Sequence, residues 1–180
     1  MDIKYFAEKL KLLAPPKESL KKFGVEDSFI DYFISRFYCI PKLDRNIKIY
    51  SNDTILQLLQ YYDCSKIEIG AVTFLFEPIE DVSYYQIGNV DADVLILDKM
   101  SLKVKVLDYT NVSHVIWECS SSSDNFLEAL LLCAEFFTLR LQDSSLAENN
   151  KYITGVINNC TEKAGGNEYT SFYKVLLDID

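Results

Sequence analysis

Near its start the chain repeats apolar residues at the spacing of buried helix faces. Ile3, Phe6, Ala7, Leu10 and Leu13 follow the i, i+3, i+4, i+7 pattern, predicting a helix that Pro15-Pro16 ends. A Lys-rich linker leads to Gly24, after which Asp27 or Ser28 caps a second helix. Its stripe is Phe29, Ile30, Phe33, Ile34 and Phe37, and Pro41 closes the element. Residues 47–50 read as a short strand, since Ile47 and Ile49 alternate with Lys48. Ser51, Asn52 and Asp53 then offer caps for a helix over TILQLLQYY.

The period changes in the middle of the chain. Residues 69–76 predict a strand around Gly70, ended by Glu77-Pro78, with a loop carrying Glu77, Glu80 and Asp81. Residues 84–87 predict a short strand stopped by the turn signal Gly88-Asn89. Val94-Leu95-Ile96-Leu97 has no polar member, which predicts a central strand covered on both faces. Across DKMS, Lys103 and Lys105 alternate with Leu102, Val104 and Val106, as in a strand with one wet face. HVIWEC (114–119) adds a further antiparallel strand.

After the polar run Ser120 to Ser123 comes the longest helix, continuing to about Leu141. Glu128, Glu135, Thr138 and Gln142 draw its narrow wet stripe. Ile153, Val156, Ile157 and Cys160 predict another helix despite Gly155, broken by Gly165-Gly166. Tyr169, Phe172, Tyr173 and Leu176 mark a last amphipathic helix. The links between strands are too short for parallel crossovers. The expected class is therefore α+β, a mainly antiparallel sheet in the middle of one domain (1–180), packed by N-terminal and C-terminal helices.

Composition narrows the function classes. With 27 acidic against 18 basic side chains the formal charge is −9, and no basic stripe offsets it. Phosphate neutralisation needs Lys and Arg, so no nucleic-acid partner is expected. A negative field suits solubility or a basic protein partner. The 12 Tyr and 11 Phe supply core volume or recognition contacts. Five scattered cysteines without a CxxC pattern fit reduced thiols rather than a disulfide framework. The N-terminal stretch is interrupted by Lys4, Glu8, Lys9 and Lys11, unlike a signal peptide, and no segment reaches bilayer-spanning length. The expected location is the cytoplasm, without a membrane partner.

Candidate chemistry is sparse. His114 with Glu118 or Cys119 suggests a metal pair or a thiol with its base, but strand geometry separates them. Ser120 to Ser123 lack a Gly-x-Ser-x-Gly elbow and read better as helix caps; Asn125 and Glu128 offer a weak capping box. Glu77 with Glu80 and Asp81, and Asp91 with Asp93, are the paired carboxylates. Asp91-Ala92-Asp93 opens like a calcium loop, yet VLIL cannot continue one. Neither a dinucleotide fingerprint nor a P-loop occurs. No catalytic residue, cofactor or metal is expected.

The stretches YQIGNVDADVLILD, LKVKVLDY and SSSSDNFLEALL, in that order, resemble the SUKH superfamily, whose members are best known as bacterial immunity proteins against polymorphic toxins. The closing AGGNEYTSFYKVLL is similar to the terminal segment of some members. The chain departs where members often carry Asn-Gly after the early helix (here RFYCIPKL) and Gly in the hairpin (here DKMS). The resemblance implies a non-enzymatic, cytoplasmic α+β domain that binds a cognate protein toxin, such as a nuclease with a basic cleft. Under it, Glu77, Glu80, Asp81, Asp91 and Asp93 form the binding surface with Tyr84 and Tyr85 as aromatic anchors. Because strand neighbours face opposite sides, the alternative divides Tyr84 and Tyr85 between surface and core. The competing functions are an intracellular scaffold or regulatory module with this fold, and a hydrolase using a carboxylate pair.

Overall fold

The computed structural model describes residues 1–43 and 52–177. The expected strand at 47–50 and the Ser51 cap lie outside the described residues. Helix α1 (Ile3–Leu12) starts where the Asp2 carboxylate accepts from Lys4 N at 2.7 Å, and its Phe6 and Leu10 are buried. The Lys-rich linker contains a short helix, α2 (Lys17–Lys21), entered through Pro16. Helix α3 (Asp27–Ser35) takes Glu26 as its N-cap residue, so neither Asp27 nor Ser28 caps it. Ile30 and Ile34 turn inward while Phe29 faces solvent. The helix stops well before Pro41, which pairs with Tyr62 in a small ribbon of β1 (Ile40–Pro41) and β2 (Tyr62–Asp63). Between them lies α4 (Thr54–Tyr61), capped by Asp53, which accepts from Ile55 N at 2.9 Å and Leu56 N at 3.2 Å.

Six strands follow as an antiparallel meander in chain order: β3 (Glu68–Ile69), β4 (Val72–Glu80), β5 (Tyr84–Val90), β6 (Asp93–Asp98), β7 (Val104–Asp108) and β8 (Asn111–Ser120). Gly70 lies in the β3–β4 turn at φ +58°, so the predicted strand around it is two strands. Glu77-Pro78 does not end β4. The register with β5 shifts between Phe74 and Ile79, and such an irregularity leaves ladder positions where a proline's missing N–H costs little. Gly88-Asn89 likewise stays inside β5. There a Cβ on Gly88 would lie 2.0 Å from the Thr73 carbonyl oxygen, so the glycine permits close backbone approach rather than ending the strand.

β6 is interior to the sheet, as its apolar run predicts, but helices cover only one of its faces. Leu95 and Leu97 join Val104, Val106, Phe126, Leu127 and Leu130 in the main core. Ile96 points the other way and lies outside that cluster, yet is only 2% exposed. Its same-face register partners are Gln86 and Lys105, whose long side chains flank it. The open face carries the ion pairs Lys105–Asp98 (3.0 Å) and Lys103–Glu118 (2.8 Å).

Helix α5 (Ser123–Gln142) lies under the sheet, followed by a 3-10 turn (Ser144–Ala147), α6 (Asn150–Ala164), a second 3-10 turn (Asn167–Tyr169) and α7 (Thr170–Leu176). Thr138, expected on the wet stripe of α5, is buried, and its hydroxyl donates to Leu13 O at 2.8 Å. Gly165 ends α6 in the left-handed conformation at φ +112°. The described residues thus form an α+β fold, helices flanking an antiparallel sheet. No described helix is long and apolar enough to cross a membrane.

Candidate functional site: the two ends of the sheet

A meander sends alternate turns to opposite ends. One end holds the β4–β5 tip (81–83) and the β6–β7 tip (99–103); the other holds the turns at 70–71, 91–92 and 109–110. The seven residues of β5 set these ends roughly 20 Å apart at about 3.3 Å per residue. The predicted surface is therefore divided. Glu80, Asp81, Tyr84 and Tyr85 stand at or near the first end, Asp91 and Asp93 at the second, and Glu77 lies exposed in the irregular part of β4.

At the first end Lys99 ties the two tips together. Its backbone N–H donates to Ser83 O at 2.9 Å. Its Nζ donates to the Asp81 carbonyl at 2.6 Å, pairs with Glu80 Oε1 at 3.0 Å and sits 4.4 Å from the centre of the Tyr85 ring. The Glu80 charge is thus balanced locally. Tyr85 faces the helices opposite Leu97, and Tyr84 lies on the open face opposite Asp98. The two tyrosines are split between core and open face.

The second tip is shaped by Asp98. Its carboxylate accepts from Met100 N (3.0 Å), Ser101 N (2.7 Å), Ser101 Oγ (2.9 Å) and Lys105 Nζ (3.0 Å). Partial burial favours its neutral form, but the Ser101 and Lys105 bonds prevail and hold its pKa down to about 2. These bonds hold the tip while Leu102 sits at φ +57°, a conformation usually left to glycine. The outcome is a pair of braced tips presenting Val82 and Met100, each 95% exposed, with Leu102 beside them and Ile79 on the adjoining open face. Asp81, in the same tip as Val82, is exposed, as is Glu77 further back in β4.

At the second end the Asp93 and Asp108 carboxylates serve the turns, while Asp91 is exposed. Asp93 accepts from Tyr109 N at 3.2 Å, joining neighbouring turns. Asp91 adopts φ +51° and its N–H donates to Ala71 O at 3.0 Å. Asp108 accepts from the Thr110 hydroxyl at 2.6 Å and its N–H at 2.7 Å, which holds its pKa below the usual carboxylate value.

The serine run is equally committed. Ser122 accepts from Asn125 N at 3.3 Å as the cap of α5, and Ser123 donates to Asp53 Oδ1 at 2.8 Å. Ser120 donates to Ser122 O at 2.8 Å and Ser121 to Ala164 O at 3.2 Å, the latter fastening α5's start to α6's end. The Asn125–Glu128 capping box does not form: the Asn125 amide donates to Ser121 Oγ at 2.7 Å, and Glu128 pairs with Lys163 at 3.0 Å. His114 is exposed in the first half of β8. Among the described residues no group of three or more His, Cys, Asp or Glu is placed to hold a metal.

Sequence reasoning missed Val82 and Met100. Their signal was an apolar side chain inside a polar turn, in EDVSY and in DKMS. Compared with known protein families, curated proteins and solved structures, the chain matches none.

Proposed function

We propose that this chain is a non-enzymatic protein-binding domain of the SUKH kind that neutralises a cognate toxin in the cytoplasm, docking it through the braced tips of β4–β5 and β6–β7. The observation that carries this reading is the Val82–Met100 surface. Two large apolar side chains stand fully in solvent on turns held by Lys99 and Asp98, so docking orders little that is not already ordered. Apolar contacts at the centre with polar groups at the rim is the usual anatomy of a protein interface. The acids Glu77 and Asp81, in a chain of charge −9, suit a basic partner such as a nuclease cleft. The order of early helices, antiparallel meander and serine-capped long helix supports the resemblance.

The test is co-expression with the toxin of the adjacent reading frame, followed by measurement of complex formation across a salt series. Protection is expected, with association slowing as ionic strength rises. Continued killing by the toxin while both proteins are folded would sink the proposal. Recovery of a housekeeping partner without protection would select the scaffold reading instead.

A further inference from the structure

A cavity of about 560 Å³ opens between α3, α5, α7 and the β3–β4 turn, far along the fold from the braced tips in its residues and elements. Its size falls within the range of small-molecule sites. Phe33, Phe137, Leu141 and Leu176 form its apolar wall. Gly70 lets that wall close, since a Cβ there would sit 3.0 Å from Leu176 and from Phe137. The polar groups are few, two guanidinium groups, one carboxylate and one hydroxyl: Arg36, Arg140, Glu68 and Ser144.

Arg36 and Glu68 form an ion pair, so the Glu68 charge is balanced locally. The Arg36 Nε is buried and has no hydrogen-bond partner among the described residues. Arg140 sits 5.4 Å from the centre of the Phe136 ring, and no carboxylate pairs with it among the described residues. In a chain with 27 acidic side chains, a guanidinium with no carboxylate partner among the described residues, beside an apolar cavity, is a specific arrangement. A ligand oxygen at Arg140 would meet a charge-assisted donor, whereas the buried Arg36 Nε has no surface open to the cavity.

We infer that this cavity binds a small amphipathic monocarboxylate, its apolar body against Phe33, Phe137, Leu141 and Leu176 and its carboxylate at Arg140. The inference stands apart from the toxin-neutralising reading, because it uses none of the same residues.

The test titrates the full chain calorimetrically with dodecanoate below its micellar concentration, and with dodecan-1-ol as the uncharged counterpart. Saturable one-to-one binding of dodecanoate is expected, at least about tenfold tighter than the alcohol. Arg140→Gln should weaken it at least about tenfold while Arg140→Lys retains most of it, as a charge contact requires. Ala147→Trp, on the exposed 3-10 turn at the rim, should block entry without touching the core. Absence of saturable binding, equal affinity for the alcohol, or an unchanged affinity in Arg140→Gln would each overturn the inference.

Discussion

The two ends of the sheet are built from the same material, acidic turns between antiparallel strands, and they use it differently. At the Asp91–Asp93 end the Asp93 and Asp108 carboxylates are spent on turn N–H groups, and Asp91 joins the neighbouring turn only through its backbone N–H. At the Lys99 end the polar groups brace the tips from below, and Val82 and Met100 stand in solvent beside the exposed Asp81 and Ser101. The difference teaches that a local excess of carboxylates does not mark a docking surface by itself. The more telling feature is an apolar group that the fold holds out in water when it could have turned away.

The largest expected effect tests whether the two ends belong to one rigid frame. Gly88→Ala places a methyl against the Thr73 carbonyl midway between them. A loss of about 3 kcal/mol is expected, read by urea unfolding, with faster amide exchange at both ends. An unchanged midpoint would show that β4 and β5 yield independently. Next, Val82→Ser combined with Met100→Ser should weaken toxin binding about a hundredfold at nearly constant thermal stability. Asp91→Asn, at the other end, should leave the affinity within about threefold. A reversed ranking would move the docking surface to the Asp91 end.

Acid stability sharpens the comparison through Asp98. Its folded-state pKa of about 2 lies below the ordinary carboxylate value, so its contribution is present above pH ~4 and is lost as pH falls from there towards 2. That contribution is about 2 kcal/mol for a side chain only a quarter exposed. Asp98→Asn should flatten the acid limb of the stability curve by that amount, and an unaltered limb would remove Asp98 as the brace. The smallest effect is expected for Lys99→Met, about 1 kcal/mol or less, since the pair with Glu80 is partly exposed. Its signature is faster exchange at the tips alone.

Much of the fold was legible because burial writes a period into the chain. The α1 face, the VLIL strand, the serine cap of α5 and the Gly165 stop of α6 all follow from local chemistry. The failures share one cause. As local signals Gly88 and Pro78 predict strand ends and Thr138 a wet position. Each instead answers a neighbour distant in sequence: the Thr73 backbone, the β5 register and the Leu13 carbonyl.

The candidate site was less legible still. Tyr84, Tyr85, Glu80 and Asp81 stand at or near one end of the sheet, while Asp91 and Asp93 lie one strand length away. By itself the sequence determined the longer helices and strands, though not α2 or the β1–β2 ribbon, that the strands would meander, and that the surface would be acidic. It could do so because periodicity, caps and charge are properties of short stretches. Only the tertiary structure decided which turns meet at the same end, which charges Lys99 and Lys105 neutralise, and that Val82 and Met100 stand exposed together. Those outcomes depend on strand register and on contacts between residues far apart in the chain, and no local pattern carries them.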